Sequence, residues 1–145
     1  MSYVLLLAAD RPLPLCDCQE MRATAVKAHG TVHTISCMRG FKVSEHSYYR
    51  SAVDELGHAM KAHQYELCVE RHGQDLQNLR DYLEENLSPG ESVELWNLWV
   101  GIDRSRHVAH YRGRLANFDM DTLEQFCSPP DRDGLPGQCR MTVII

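Results

Sequence analysis

The sequence has no long hydrophobic run. The apolar stretch near the N-terminus covers seven residues, 3–9, far fewer than the roughly 18 that cross a bilayer. No Lys or Arg precedes it and no small-residue cleavage pattern follows it, so it is predicted to be a β-strand that ends before Pro12, not a signal peptide. We therefore expect a cytoplasmic protein with no membrane partner.

Positive charge is also in short supply. The 145 residues contain 15 Lys and Arg against 20 Asp and Glu, which gives a formal net charge of -5. Proteins that coat nucleic acids or bind membrane surfaces use a net positive field to attract phosphate groups. The composition therefore argues against nucleic acid as a partner, although it leaves room for a local basic patch.

The signatures of common enzymes are missing as well. The chain contains no G-x-x-x-x-G-K-[ST] phosphate loop, no G-x-G-x-x-G, no H-E-x-x-H and no G-x-S-x-G. It also has no internal repeat, linker or low-complexity tract. A chain of this length buries roughly two-thirds of its unfolded surface, so residues 1–145 are predicted to form one domain that needs no disulfide or metal to fold.

The hydrophobic pattern that is present predicts strands and helices. Four leucines between residues 76 and 87 recur at helical spacing, which predicts a helix over Asp75–Leu87 that ends before Pro89. The same reasoning predicts helices over Gln19–His29, Glu45–His63 and Asp121–Cys127, and strands over Thr31–Cys37, Tyr65–Arg71, Val93–Ile102 and Met141–Ile145. Residues 65–102 are then a strand-helix-strand unit, which predicts two neighbouring parallel strands.

These elements predict an α+β fold, in which a mixed β-sheet packs with two main helices. The strand at 65–71 has one polar face, which favours a ferredoxin-like two-layer sandwich. The strand at 93–102 is apolar on both faces, which suits the alternative, a three-layer α/β fold. A homo-oligomer in which a partner subunit covers the Trp-bearing face would reconcile the two observations.

The cysteines and histidines suggest a metal site. Six cysteines in a reducing compartment are expected to be free, buried or metal-bound. Thiolates and imidazoles at such density suit zinc or copper, and the candidate ligands are Cys16, Cys18, His29 and His33. The spacing argues against this site, because His29 and His33 on a strand would lie about 13 Å apart. The favoured interpretation is therefore that the chain binds no cofactor.

A run of arginines is the best candidate for ligand binding. Arg104, Arg106, Arg112 and Arg114 occur with no acidic residue between them, and His107 and His110 lie among them. On one continuous strand the four arginines and His110 would share a face. The planar donor fork of arginine suits carboxylate and phosphate groups, so this segment is predicted to contact a small anionic ligand. The alternative is that it pairs with the acidic face of the helix at 75–87.

One polar residue stands within an otherwise apolar strand. A buried amide without partners costs about 1–3 kcal/mol, so Asn97 is either hydrogen-bonded in the core or directed at a ligand. We include it among the candidate ligand-binding residues.

Three functions follow from these residues. The leading hypothesis is a binding or regulatory module, oligomeric, that contacts an anion through the arginine-rich segment. The second is a small enzyme that uses His107 or His110 for acid-base chemistry beside Arg112 or Arg114. The third is the metal-binding protein.

Overall fold

The computed structural model describes residues 2–101 and 106–145. This part of the chain forms a mixed seven-stranded β-sheet, a separate two-stranded hairpin and three α-helices. The strands are β1 (Ser2–Ala9), β2 (Cys16–Asp17), β3 (Glu20–Ala28), β4 (Thr31–Arg39), β5 (Lys42–Glu45), β6 (His63–Cys68), β7 (Ser92–Val100), β8 (Ala109–Arg114) and β9 (Cys139–Ile144), and the helices are α1 (Arg50–Leu56), α2 (Gly73–Asn86) and α3 (Met120–Cys127). The main sheet has the order β2-β5-β6-β1-β7-β9-β8. The predicted α+β class with a mixed sheet is confirmed.

Strand β1 lies at the centre of the main sheet. It pairs antiparallel with β6 on one side and with β7 on the other, and every residue from Val4 to Ala9 is buried. Leu5 and Leu7 join a core that includes α2 and α3, whereas Val4 and Leu6 join a core that includes α1. Because successive side chains of a strand point to opposite faces, helices cover both faces of the sheet.

The predicted strand-helix-strand unit is β6-α2-β7. Both strands are antiparallel to β1 and are therefore parallel to each other. The prediction that they are neighbours is wrong, because β1 lies between them. A strand such as β1, which is apolar on both faces, is best buried in the middle of a sheet. There it has a neighbouring strand along each edge and a covering layer on each face.

Helices α2 and α3 confirm two predictions. Leu79 and Leu83 of α2 are fully buried, as their spacing indicated. Helix α3 begins earlier than expected, because the side chain of Asp119 accepts a hydrogen bond from the Thr122 amide at 2.9 Å and caps the first turn. Within the described residues, no helix is long and apolar enough to cross a membrane.

The helix predicted over Gln19–His29 is wrong. These residues form β3, which pairs with β4 along all nine of its residues. The strands are joined by His29 and Gly30, which have φ angles of 50° and 75°. Two consecutive positive φ angles define the tight turn that matches the twist of a hairpin, and glycine adopts this conformation without a steric penalty.

The helix predicted over Glu45–His63 is much shorter in the structure. Helix α1 covers only Arg50–Leu56, because Gly57 adopts a left-handed conformation with φ 71° and ends it. Residues 46–49 and 57–62 connect α1 to the strands β5 and β6, which take up the two ends of the predicted range. The other predicted strands are present as β4, β6, β7 and β9, with ends shifted by a few residues.

Candidate functional site

The second half of the arginine-rich segment forms β8, the edge strand of the main sheet. Strand β8 pairs parallel with β9. Alternation along β8 places His110, Arg112 and Arg114 on one face, and all three are exposed. Arg104, which the sequence pattern placed on the same face, lies outside the described residues.

A fourth basic residue joins this face from the neighbouring strand. Arg140 of β9 is in register with His110 on one side and with Trp96 of β7 on the other. Its Nη2 atom lies 3.1 Å from His110 Nδ1, and its guanidinium lies 5.5 Å from the centre of the Trp96 ring. We call the surface formed by His110, Arg112, Arg114 and Arg140 the basic face.

Trp96 packs against Arg140 of the basic face. It is 2% exposed, and the His58 ring packs 5.6 Å from it, measured between ring centres. Burial lowers the pKa of His58, and the nearby His110 lowers it further. The Trp96 ring in turn holds the Arg140 guanidinium in place through a cation-π contact.

The acidic residue nearest to Arg140 already has partners. Glu94 is 8% exposed and accepts a hydrogen bond from the Lys61 amide at 2.7 Å. Its second oxygen lies 3.9 Å from Arg140 Nη1. Among the described residues, no acidic group forms an ion pair with Arg112 or Arg114. The positive charge of Arg112 and Arg114 is therefore not neutralised by the described acidic residues.

The acidic helix offered as an alternative partner lies elsewhere. Helix α2 packs on the face of the sheet that carries Met141 and Val143, whereas alternation places Arg140 and Thr142 on the other face. Asp81 of α2 is exposed, and its Oδ1 atom accepts a hydrogen bond from Gln77 Nε2 at 2.7 Å. Within the described part of one chain, α2 therefore does not neutralise the basic face.

Arg106 and His107 lie in a separate cleft. Strand β8 begins only at Ala109, so the alternation that aligns the later arginines does not extend to Arg106. The Arg106 guanidinium donates a hydrogen bond to the Pro136 carbonyl. Together with His107 and Arg132, it lines a cleft of about 450 Å³ between the start of β8 and the loop after α3.

Asn97 belongs to the core on the opposite face of the sheet. Its Nδ2 atom donates to the Phe126 carbonyl at 2.8 Å and to the Cys127 carbonyl at 3.3 Å. These bonds tie β7 to the end of α3. Asn97 is thus networked in the core, and the structure does not bring it together with the basic face.

The four candidate metal ligands are not brought together. Cys16 and Cys18 lie at the base of the hairpin with their Sγ atoms 3.6 Å apart, whereas His29 is in the turn at its far end. Burial, followed by the hydrogen bond with Cys18, raises the pKa of Cys16 to about 11. Among the described residues, no group of three or more His, Cys, Asp or Glu is arranged to hold a metal ion.

Comparison of the chain with known protein families, with curated proteins and with solved structures gives no match.

Sequence reasoning missed two residues of the candidate site. Arg140 is the charged residue among the half-buried positions of β9, and such a residue on the alternate face of an inner strand is a signal that could have identified it. His58 carries no such signal, because its place beside Trp96 depends on the end of α1 at Gly57.

Proposed function

We propose that this protein is a small cytoplasmic binding module whose basic face binds an anionic group, either a phosphate or a carboxylate. The observation that carries the proposal is the convergence of His110, Arg112, Arg114 and Arg140 on one open face of β8 and β9. Arginine forks bind these anions through paired, charge-assisted hydrogen bonds.

Two features support an external ligand. Arg112 and Arg114 are exposed, and the contact with Trp96 orients Arg140. An oriented guanidinium loses less side-chain freedom on binding than a free one, which favours affinity.

Calorimetric titration with inorganic pyrophosphate and with citrate tests the proposal. We expect the double variant Arg112→Ala/Arg114→Ala to weaken binding of at least one anion by about tenfold or more, since a hydrogen bond to a charged group contributes about 1.5–3 kcal/mol. Arg132→Ala, which removes an exposed arginine in the separate cleft, is the matched control and should bind as the wild type does. The proposal fails if the wild type binds neither anion or if the double variant keeps full affinity.

The second candidate function is an enzyme that uses acid-base chemistry on an anionic substrate. It is supported by the cleft, a concave site that His107, Arg106 and Arg132 line together. In the same titration, loss of anion binding in Arg132→Ala but not in the double variant would favour this cleft over the basic face.

Other expectations from the sequence stay proposals. The ferredoxin-like arrangement is supported only by the β6-α2-β7 unit, whose two strands lie on either side of β1. The metal-binding function is supported only by the proximity of the Cys16 and Cys18 thiols. The homo-oligomer has a more specific basis in the hairpin.

A further inference from the structure

The β3–β4 hairpin projects from the body of the protein, and we call residues 20–39 the arm. Most of its residues are exposed, and the others are only half-buried. The exposed fractions of its large apolar residues are 62% for Met21, 38% for Val26, 64% for Val32, 51% for Ile35 and 54% for Met38. Two strands without further cover have marginal stability in water, so an arm of this length needs another surface to pack against.

Charged contacts fix the arm at its base. Arg22 Nη2 donates to Asp75 Oδ1 at 2.6 Å and Nη1 donates to Glu70 at 2.8 Å, while Arg39 donates to Glu70 at 3.1 Å. Asp75 is fully buried and also accepts a hydrogen bond from the Glu70 amide at 2.8 Å. These contacts hold the base of the arm against the start of α2, so the two edges of the arm have a defined orientation relative to the body.

The two edges of the arm differ in charge. Strand β3 carries Glu20, Arg22 and Lys27, and charged side chains on an edge strand discourage pairing with other chains. Residues 31–38 of β4 contain no Asp, Glu, Lys or Arg. Among the described residues, β4 pairs only with β3, so its outer backbone groups are available. A long, uncharged edge of this kind invites strand addition.

We propose that the outer edge of β4 pairs antiparallel with the β4 edge of a second copy of this chain. The two-fold axis passes at Ile35, and the two arms form one four-stranded sheet. Val32 of each chain then lies opposite Met38 of the other, Thr34 lies opposite Ser36, and the two Ile35 side chains meet. The same register places His33 opposite Cys37 and Thr31 opposite Arg39, so no two like charges face each other and β4 can pair with a second β4.

Antiparallel pairing of two copies of β3 about a two-fold axis gives unfavourable pairs. With its axis at the central residue Thr24, it places Lys27 opposite Met21 and Arg22 opposite Val26. It would also compete with the contacts of Arg22 to Asp75 and Glu70. In the proposed dimer, by contrast, the charged β3 strands become the outer edges of the new sheet and oppose its extension into an open-ended fibre.

This inference goes beyond the anion-binding proposal, because the arm and the basic face belong to different sheets. A dimer formed through the arms involves no residue of the basic face. The dimer can therefore be tested independently of anion binding, and failure of one proposal leaves the other intact.

Sedimentation equilibrium across a concentration range centred on about 10 µM tests the dimer. We expect the wild type to show a mass about twice the 16.6 kDa of the chain. Ile35→Lys places two like charges at the axis and should give the monomer mass. Thr24→Lys is the matched control, since Thr24 is the direct cross-strand partner of Ile35 in the same hairpin, and it should remain dimeric.

A charge-swap mixture separates loss of pairing from loss of folding. Ile35→Glu alone should also be monomeric, whereas an equimolar mixture with Ile35→Lys should recover the dimer mass, because opposite charges then meet at the axis. A monomeric wild type would overturn the proposal and leave the β4 edge to a different partner. A dimeric Ile35→Lys, a monomeric Thr24→Lys or a mixture that stays monomeric would each overturn it as well.

Discussion

Strand β1 and the arm are both rich in apolar residues, yet they have opposite environments. Val4–Ala9 are all buried, whereas Val32, Ile35 and Met38 of the arm are each more than half exposed. The difference lies in the neighbours, since β1 has a strand on each side and helices over both faces, and the arm has neither among the described residues. Apolar content thus identifies strands, but the topology decides which of them are buried.

The largest expected effect comes from a truncation in β1. Leu7→Ala should lower the free energy of unfolding by about 2–5 kcal/mol, because Leu7 is fully buried and its removal leaves a cavity. Val32→Ala in the arm should change it by less than about 0.5 kcal/mol at concentrations where the chain is monomeric. Urea denaturation followed by circular dichroism measures both. Equal losses in the two variants would contradict the contrast between β1 and the arm.

A smaller effect is expected where the arm joins the body. Asp75→Asn should cost about 2 kcal/mol, because it weakens a buried ion pair, although Arg22 retains Glu70 as a partner. Amide hydrogen exchange in the arm should accelerate more than exchange in β1. Glu20→Gln is the control, since the Glu20 side chain is 56% exposed and its ion pair with Arg22 should contribute less than about 0.5 kcal/mol. If amide hydrogen exchange in the arm is unchanged in the Asp75→Asn variant, the arm is held by other contacts.

The smallest effect distinguishes a buried histidine of the body from an exposed one of the arm. His46 has a fully buried side chain, and burial lowers its pKa despite the opposing influence of Glu66 at 3.8 Å. The unfolded chain therefore binds the proton first as pH falls below about 6.5, and stability is lost from there down to the folded pKa.

Between pH 7 and pH 5.5 we expect a loss of at most about 1 kcal/mol, the limit for one titrating group, which is reduced in His46→Gln and kept in His33→Gln. His33 is exposed in the arm, which makes it the matched control. Urea denaturation at the two pH values measures the difference. An identical pH dependence in His46→Gln and in the wild type would assign the loss to other groups.

Local patterns predicted the elements of the body better than the arm. Helix α2 follows from four leucines at helical spacing, and β7 from a continuous apolar run. The sequence predicts half of the arm as helix, because residues 19–29 have a weak helical pattern and Gly30 is a plausible end. Its strand conformation depends on the His29-Gly30 turn and on pairing with β4, and helical spacing contains no information about either.

The candidate site was predicted in part. The shared face of His110, Arg112 and Arg114 follows from alternation along one strand, which is a local property. The contribution of Arg140 depends on the register between β8 and β9, and the separation of Arg106 depends on where β8 begins. Both are decided by tertiary contacts, which a single sequence does not reveal.

The central position of β1 also affects how the protein folds while it is being synthesised. A ribosome synthesises β1 before either of its partners, which are residues 63–68 and 92–100. Until those residues emerge, the apolar side chains and both backbone edges of β1 have no native partner, a condition that exposes nascent chains to aggregation and to chaperones. Because native pairing of β1 joins segments far apart in sequence, we expect it to be a late and slow step that follows synthesis of most of the chain.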